Sequence, residues 1–345
     1  KYNKSVREFD IVTLDRVRKI SIQADTDVWL EYAGEKGIHG AILSYLSLKK
    51  ENFYMVENTV DGKFFVTARG WEDLSEILKS YEELQVEIGE ELIGEFLQKE
   101  EIARDFAGYY RLYEKYKSDY QIQEILDGNV ISGQLKTCCD MGKKASFEER
   151  FTVTEMLLEA VTERISSFQK TDEKTEKLYG NLKLLKVFLQ EKNSVEAMEQ
   201  FVISRRKALD AKICSELLTA EEAAREEEQI RILEEYFFQL KELHISDVAE
   251  GIEQIGERFG NVCRLRNEKL EETKKMLEQA FSFLEECFGE GQELLLFETG
   301  LTGDDRCSIF ISQYGCPSYF KHCELLLYSK KENELRKECR DLLED

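Results

Sequence analysis

The chain has 345 residues, 42% of them hydrophobic, with 20 Phe, 15 Tyr and 2 Trp, enough for two or three domains with cores of their own and too apolar for a disordered tail. Its 48 Lys and Arg face 70 Asp and Glu, a formal charge of -22, which excludes nucleic acid and anionic membrane as partners because both are bound by neutralising phosphates with cations. No apolar run reaches the ~18 residues that cross a bilayer, and nine cysteines without regular pairing, behind no signal-type opening, point to a reduced, cytoplasmic setting.

A single proline, Pro317, stands where roughly 5% is usual, so long periodic segments with few breaks are expected and the fold class reads as mainly α. Residues 1–24 are locally basic, with Lys1, Lys4, Arg7, Arg16, Arg18 and Lys19 against Glu8, Asp10 and Asp15. An anion site is expected near this end. The chain opens on Lys, directly into a polar segment, and reads as the later part of a longer protein.

Residues 11–22 read as a turn or helical stub leading into a short strand, with Ile20 and Ile22 on one side and Lys19 and Ser21 on the other. Residues 25–48 read as helix. Asp25 or Asp27 can cap it, and Trp29, Tyr32, Ala33, Ile38, Ile42, Tyr45 and Leu46 repeat at three- and four-residue spacing. Phe53 to Val56 and Lys63 to Thr67 flank Asp61-Gly62, the signature of a β-hairpin.

From Trp71 the period becomes helical. Leu74, Leu78, Tyr81, Leu84, Ile88 and Leu92 form one stripe, and Phe106, Tyr109, Tyr113, Tyr116 and Tyr120 with Ile102 another. The aromatic stripe lies in an acidic chain, so it reads as helix packing and not as a platform for bases, which would need a basic groove. A loop near Asp127-Gly128-Asn129 and Gly133 closes this part. Further helices are expected over Met156 to Phe168, Leu182 to Leu189, Ile230 to Leu243 and Leu265 to Phe288, followed by an apolar run at Leu294 to Phe297, a turn-rich Gly300 to Asp305 and a terminal helix.

The chemistry-bearing residues are few. Arg16 stands in a turn before a short strand, as a surface cation or as an arginine aimed at a neighbouring subunit's nucleotide. Arg69 opens a helix whose Glu72 and Asp73 favour the positive end of the dipole, either paired with a carboxylate or sensing a phosphate. Gly128 to Gly133 has the glycine spacing of a phosphate loop, but Gln134 and Leu135 stand where Lys and Ser/Thr are needed. Leu294 to Glu298 ends in an acid, yet Thr299 follows it, so a buried segment is the better reading than a magnesium site. Cys316, His322 and Cys323 cluster without a CxxC pair. His244 continues the face of Ile230, Leu233, Phe237 and Leu240 as a core or edge histidine.

Taken together, Tyr2 to Asp10, Thr13-Leu14-Asp15-Arg16-Val17, the Trp29 helix and Thr67-Ala68-Arg69-Gly70-Trp71 resemble the end of the core and the helical lid of a MoxR-type AAA+ ATPase. The resemblance covers roughly the first third of the chain, and the tail loosely. It departs from the family at Val17, where Phe is usual, and at Thr67-Ala68-Arg69, where Ser/Thr-Pro-Arg is commoner.

The resemblance implies a core end carrying the arginine-finger element over 1–24, a lid with a short β-hairpin and following helices over 25–145, and a helical C-terminal extension over 146–345. It implies Arg16 as arginine finger and Arg69 as sensor 2. ATP and Mg2+ would belong to a full-length parent with its phosphate-binding loop upstream, and this chain alone would bind neither and be inactive. The parent would form a ring, a hexamer, and remodel clients like a chaperone with a von Willebrand factor A-domain partner. The alternative is a non-enzymatic acidic helical scaffold or adaptor, whose arginines are ordinary surface cations and whose partners are basic.

Overall fold

The computed structural model describes residues 16, 18, 23–59, 62–129, 132–188 and 193–326. Those residues are mainly helical, with a two-stranded antiparallel sheet. They fall into two compact units, residues 1–115 and 116–345.

In the first unit the segment expected as one helix is two. Asp25 accepts from the amides of Asp27 and Val28 and opens α1, Thr26–Lys36; Gly37, at a φ of 68°, closes it. That left-handed turn is open to glycine at no steric cost. The imidazole of His39 then accepts from the amide of Ala41 and caps α2, Gly40–Leu48. Strands β1, Met55–Thr59, and β2, Gly62–Val66, pair with Met55 opposite Val66 and Thr59 opposite Gly62.

The expected stripe through Leu84 breaks as well. α3, Ala68–Glu83, stops before the exposed Leu84, and Ile88 precedes a short α4, Glu90–Phe96. α5, Glu100–Tyr120, follows. Trp71, Tyr45 and Phe106 are fully buried and meet at ring centroids 5.2–5.8 Å apart. These aromatic contacts add to the area they bury, so the stripe of α5 is core.

In the second unit α6, Ile122–Asp127, and α7, Ser132–Gly142, precede α8, Phe147–Phe188. α8 runs 42 residues and joins two segments expected as separate helices. α9, Ser194–Cys214, and α10, Ala220–Glu242, fold back on each other, Arg206 pairing with Glu227 and Glu234 and Lys212 with Glu226. α11, Val248–Phe288, is 41 residues long. It lies antiparallel to α8: Ser167 meets Lys269, Asp172 meets Arg266, and Tyr179 stacks on Phe259.

One core lies among the end of α8, α9, α10 and the start of α11, built from Leu178, Leu185, Met198, Phe201, Leu233 and Leu240 among others. Towards the other end of α8 and α11 are the buried Val153, Leu157, Ile165, Leu277, Phe281 and Leu284, with α12, Gln292–Gly303, and α13, Asp305–Tyr314, packed on α8. α14, Pro317–Leu326, packs on α11 and α12. The turn-rich reading of Gly300 to Asp305 gives way to two helices parted at Asp304, whose carboxylate caps the second through the amide of Cys307. His244, read as a core or edge histidine, is exposed at a φ of 55° in the turn after α10 and so lies outside the core.

Candidate functional site

Thr67 takes the N-cap of α3, its hydroxyl accepting from the amide of Gly70 at 3.3 Å. A side chain at Gly70 would put its Cβ 2.8 Å from the carbonyl oxygen of Phe96, so only glycine lets this turn lie so close to the end of α4. Trp71 next to it is fully buried and donates its indole N–H to the carbonyl of Phe53 at 3.1 Å. The first turn of α3 is thereby held from two sides.

Arg69 projects from that turn with its side chain 89% exposed. Its ion partner is Asp73, one turn on at 3.5 Å and itself 56% exposed, a pairing that water and salt weaken to a few tenths of a kcal/mol at most. The guanidinium thus keeps its planar fork of donors available at the positive end of a helix. Arg16 is exposed, and no hydrogen bond or ion pair joins it to another described residue. The turn and strand expected over 11–22 lie otherwise outside the described residues. No shared partner among the described residues brings the two arginines together.

An open groove of about 800 Å³ runs between β2 and the segment from Gly89 to Ala103. Lys63 is set there against Glu90, Glu91 and Glu100. That excess of acid does not suit a phosphate.

Behind the first turns of α2 and α5 lie two polar networks. The Nδ1 of His39 accepts from Ala41, so the proton of the neutral ring sits on Nε2 and is donated to Glu82 at 2.8 Å, which also accepts from the Tyr110 hydroxyl at 2.8 Å. Tyr45 donates to Asp105 at 2.8 Å and accepts from Asn52 at 2.6 Å. Burial, then the hydrogen bond and charge of Asp105, pushes the Tyr45 phenol well above its ordinary range. These groups are satisfied and orient helices.

In the second unit a buried cluster forms where α14 meets α11 and α12. His322 Nε2 lies 2.5 Å from Glu285, which also takes Lys321 at 3.1 Å. Burial raises the Glu285 carboxyl, but the hydrogen bonds and charges of His322 and Lys321 outweigh it and leave it below the ordinary range. Cys316 and Ser318 both donate to Glu278, at 3.2 and 2.5 Å. Glu298 is 2% exposed, and among the described residues neither of its carboxylate oxygens nor Nδ1 of His322 has a hydrogen-bond partner. Burial pushes Glu298 up to about 7, His322 pulling the other way.

Sequence spacing grouped Cys316, His322 and Cys323 but missed Glu298, Glu285 and Glu278, which come from other helices. Among the described residues no group of three or more His, Cys, Asp or Glu is arranged to hold a metal ion. Sequence spacing also missed the Cys139–Cys287 disulfide, whose cysteines stand 148 residues apart until α7 packs on α11. The reduced setting read from cysteines without regular pairing does not account for this pair.

Among the described residues no helix is long and apolar enough to cross a membrane. No protein-family model, curated protein or solved structure matches the chain.

Proposed function

We propose that the chain is the lid and C-terminal helical region of a MoxR-like AAA+ ATPase, with Arg69 sensing nucleotide in its own subunit and Arg16 completing the ATP site of a neighbour in a ring. The observation that carries the reading is Arg69, exposed on a turn fixed by Gly70 and Trp71 and joined to Asp73 by a weak, solvent-exposed contact. A phosphate reaching that turn meets a permanent, bidentate cation together with the helix dipole. Arg16, exposed in the basic opening segment, is the permanent cation that an arginine finger requires.

The phosphate-binding loop, the Mg2+ ligands and turnover belong to an upstream core in this reading. The acidic helices after residue 145 serve as the arm that engages a partner or client, a von Willebrand factor A-domain protein among them, in a cytoplasmic remodelling ring. Turnover of ATP by the parent, wild type beside Arg16→Ala and Arg69→Ala and with ring assembly verified, tests it. Loss of turnover with retained assembly supports the composite site. Unchanged turnover, or a parent without a phosphate-binding core, makes the chain an acidic helical adaptor instead.

A further inference from the structure

Glu298 and His322 lie on two helices that pack on each other, α12 and α14, and both are buried and short of hydrogen-bond partners among the described residues. Glu298 belongs to α12 and His322 to α14; they are 2% and 1% exposed. Among the described residues both oxygens of Glu298 and Nδ1 of His322 lack a hydrogen-bond partner. Elsewhere α14 is held by satisfied contacts, Ser318 and Cys316 on Glu278, His322 and Lys321 on Glu285, and Tyr319 with Thr302 at 2.8 Å. A buried carboxylate without partners is tolerated as the neutral acid and costs the contact dearly as an anion.

We propose that Glu298 is a proton-operated latch that holds α14 on α12 while its carboxyl is protonated and loosens α14 when it ionises. Facing Glu298 from α14 are His322, Tyr319 and Cys323. α11 contributes Glu285, already engaged by His322 and Lys321. On α8 the guanidinium of Arg150 is committed to Glu293, 3.2 Å away and earlier on α12, and Cys307 of α13 is bonded to Thr162; neither acts on Glu298, whose carboxyl feels the charge of His322. No cation other than His322 therefore stands ready to receive the Glu298 anion among these groups.

The direction follows from linkage. Undocked, Glu298 has an ordinary carboxyl pKa of about 4.3, and docked it holds its proton up to about 7. The docked value is the higher one, so docking is fully favoured below about pH 4 and weakens as pH rises, levelling off above about 7. Within that window the opening constant of α14 rises about tenfold per pH unit if one proton is lost.

The test is amide hydrogen exchange of α14 in the full chain from pH 4.5 to 8, corrected for intrinsic exchange. The expected result is an opening constant that climbs with pH up to about 7 and a flat profile in Glu298→Gln. Glu155 on α8 is also pushed up to about 7, by burial and by Glu159, so the difference between wild type and variant decides. The same slope in both, or no slope in wild type, overturns the latch. Should Glu298→Gln not fold, site-specific carboxyl titration of Glu298 by NMR in the wild-type chain decides: a midpoint near 7 supports the proposal and one near 4.3 overturns it.

Discussion

The hydroxyl of Tyr45 on α2 donates to the carboxylate of Asp105 on α5 at 2.8 Å, and the same carboxylate takes Nζ of Lys49 at 2.6 Å. Burial alone raises the Asp105 carboxyl, yet the hydrogen bonds from Lys49 and Tyr45 and the Lys49 charge outweigh it and hold it below the ordinary range. The folded value is the lower one, so this contribution to stability is present above about pH 3.9 and is lost as pH falls further. Acid unfolding followed by circular dichroism should be less steep below that pH in Asp105→Asn than in wild type. Tyr45→Phe should cost about 1–3 kcal/mol near neutral pH in urea denaturation, because it removes the hydrogen bonds to Asp105 and from Asn52 and leaves the ring in place.

Gly70→Ala should destabilise the first unit by about 1–3 kcal/mol, the range for forcing atoms into a filled site. The added methyl meets the backbone carbonyl of Phe96, which cannot swing away as a side chain could. Trp71→Ala, which empties a fully buried site and frees the Phe53 carbonyl, should cost more, about 3–5 kcal/mol. Chemical denaturation followed by circular dichroism checks the order; a Gly70→Ala chain as stable as wild type would mean that α3 tilts to make room for the methyl.

The Cys139–Cys287 bridge closes a loop of 148 residues. Its removal by Cys139→Ser with Cys287→Ser should lower stability by about 2–4 kcal/mol under non-reducing conditions. In excess reductant the wild type and the double variant should melt closer together. Denaturing alkylation followed by mass spectrometry should find two thiols fewer before reduction than after it.

Arg266 is held by Asp172 at 2.7 Å and by the Tyr314 hydroxyl at 2.7 Å, with its guanidinium 5.2 Å from the Phe168 ring centre and 5.5 Å from that of Tyr314. It ties α8, α11 and α13 at one point. Arg266→Ala should cost about 2 kcal/mol, combining a charged hydrogen bond with cation-π contact. Arg266→Lys should recover little of it, since an ammonium cannot bond Asp172 and Tyr314 while stacking on two rings. A thermal melt of the three proteins checks the order.

Local signals in the sequence were read correctly where one residue type dictates a backbone. Asp61-Gly62 marked the hairpin, and the aromatic spacing of α5 a core face. The break at Gly37 escaped because the apolar spacing from Trp29 to Leu46 continues through it, while a single left-handed residue reorients the chain. Leu294 to Phe297 read as an apolar run because its four residues have no visible period, yet α12 buries Leu294, Phe297 and Leu301 at helical spacing. Of the candidate site, Arg69 was legible from its place ahead of an acidic helix start. The nearness of Glu298 to His322 and the Cys139–Cys287 bond were not, since those residues stand 24 and 148 positions apart and helix packing alone brings them together.

Two separate groups of buried side chains are strung along the same antiparallel pair, α8 and α11, with the α9–α10 turnback inserted at one end. Nearly all the pairings of that end fall within residues 174–259, so its loops close locally and at small entropic cost. It can therefore open and reclose as a cooperative foldon of its own while the other end, stapled by the Cys139–Cys287 bond, keeps the helices in register. Thermal unfolding of this chain would then be a sequence of events, with the inserted end melting first and no single Tm describing the whole.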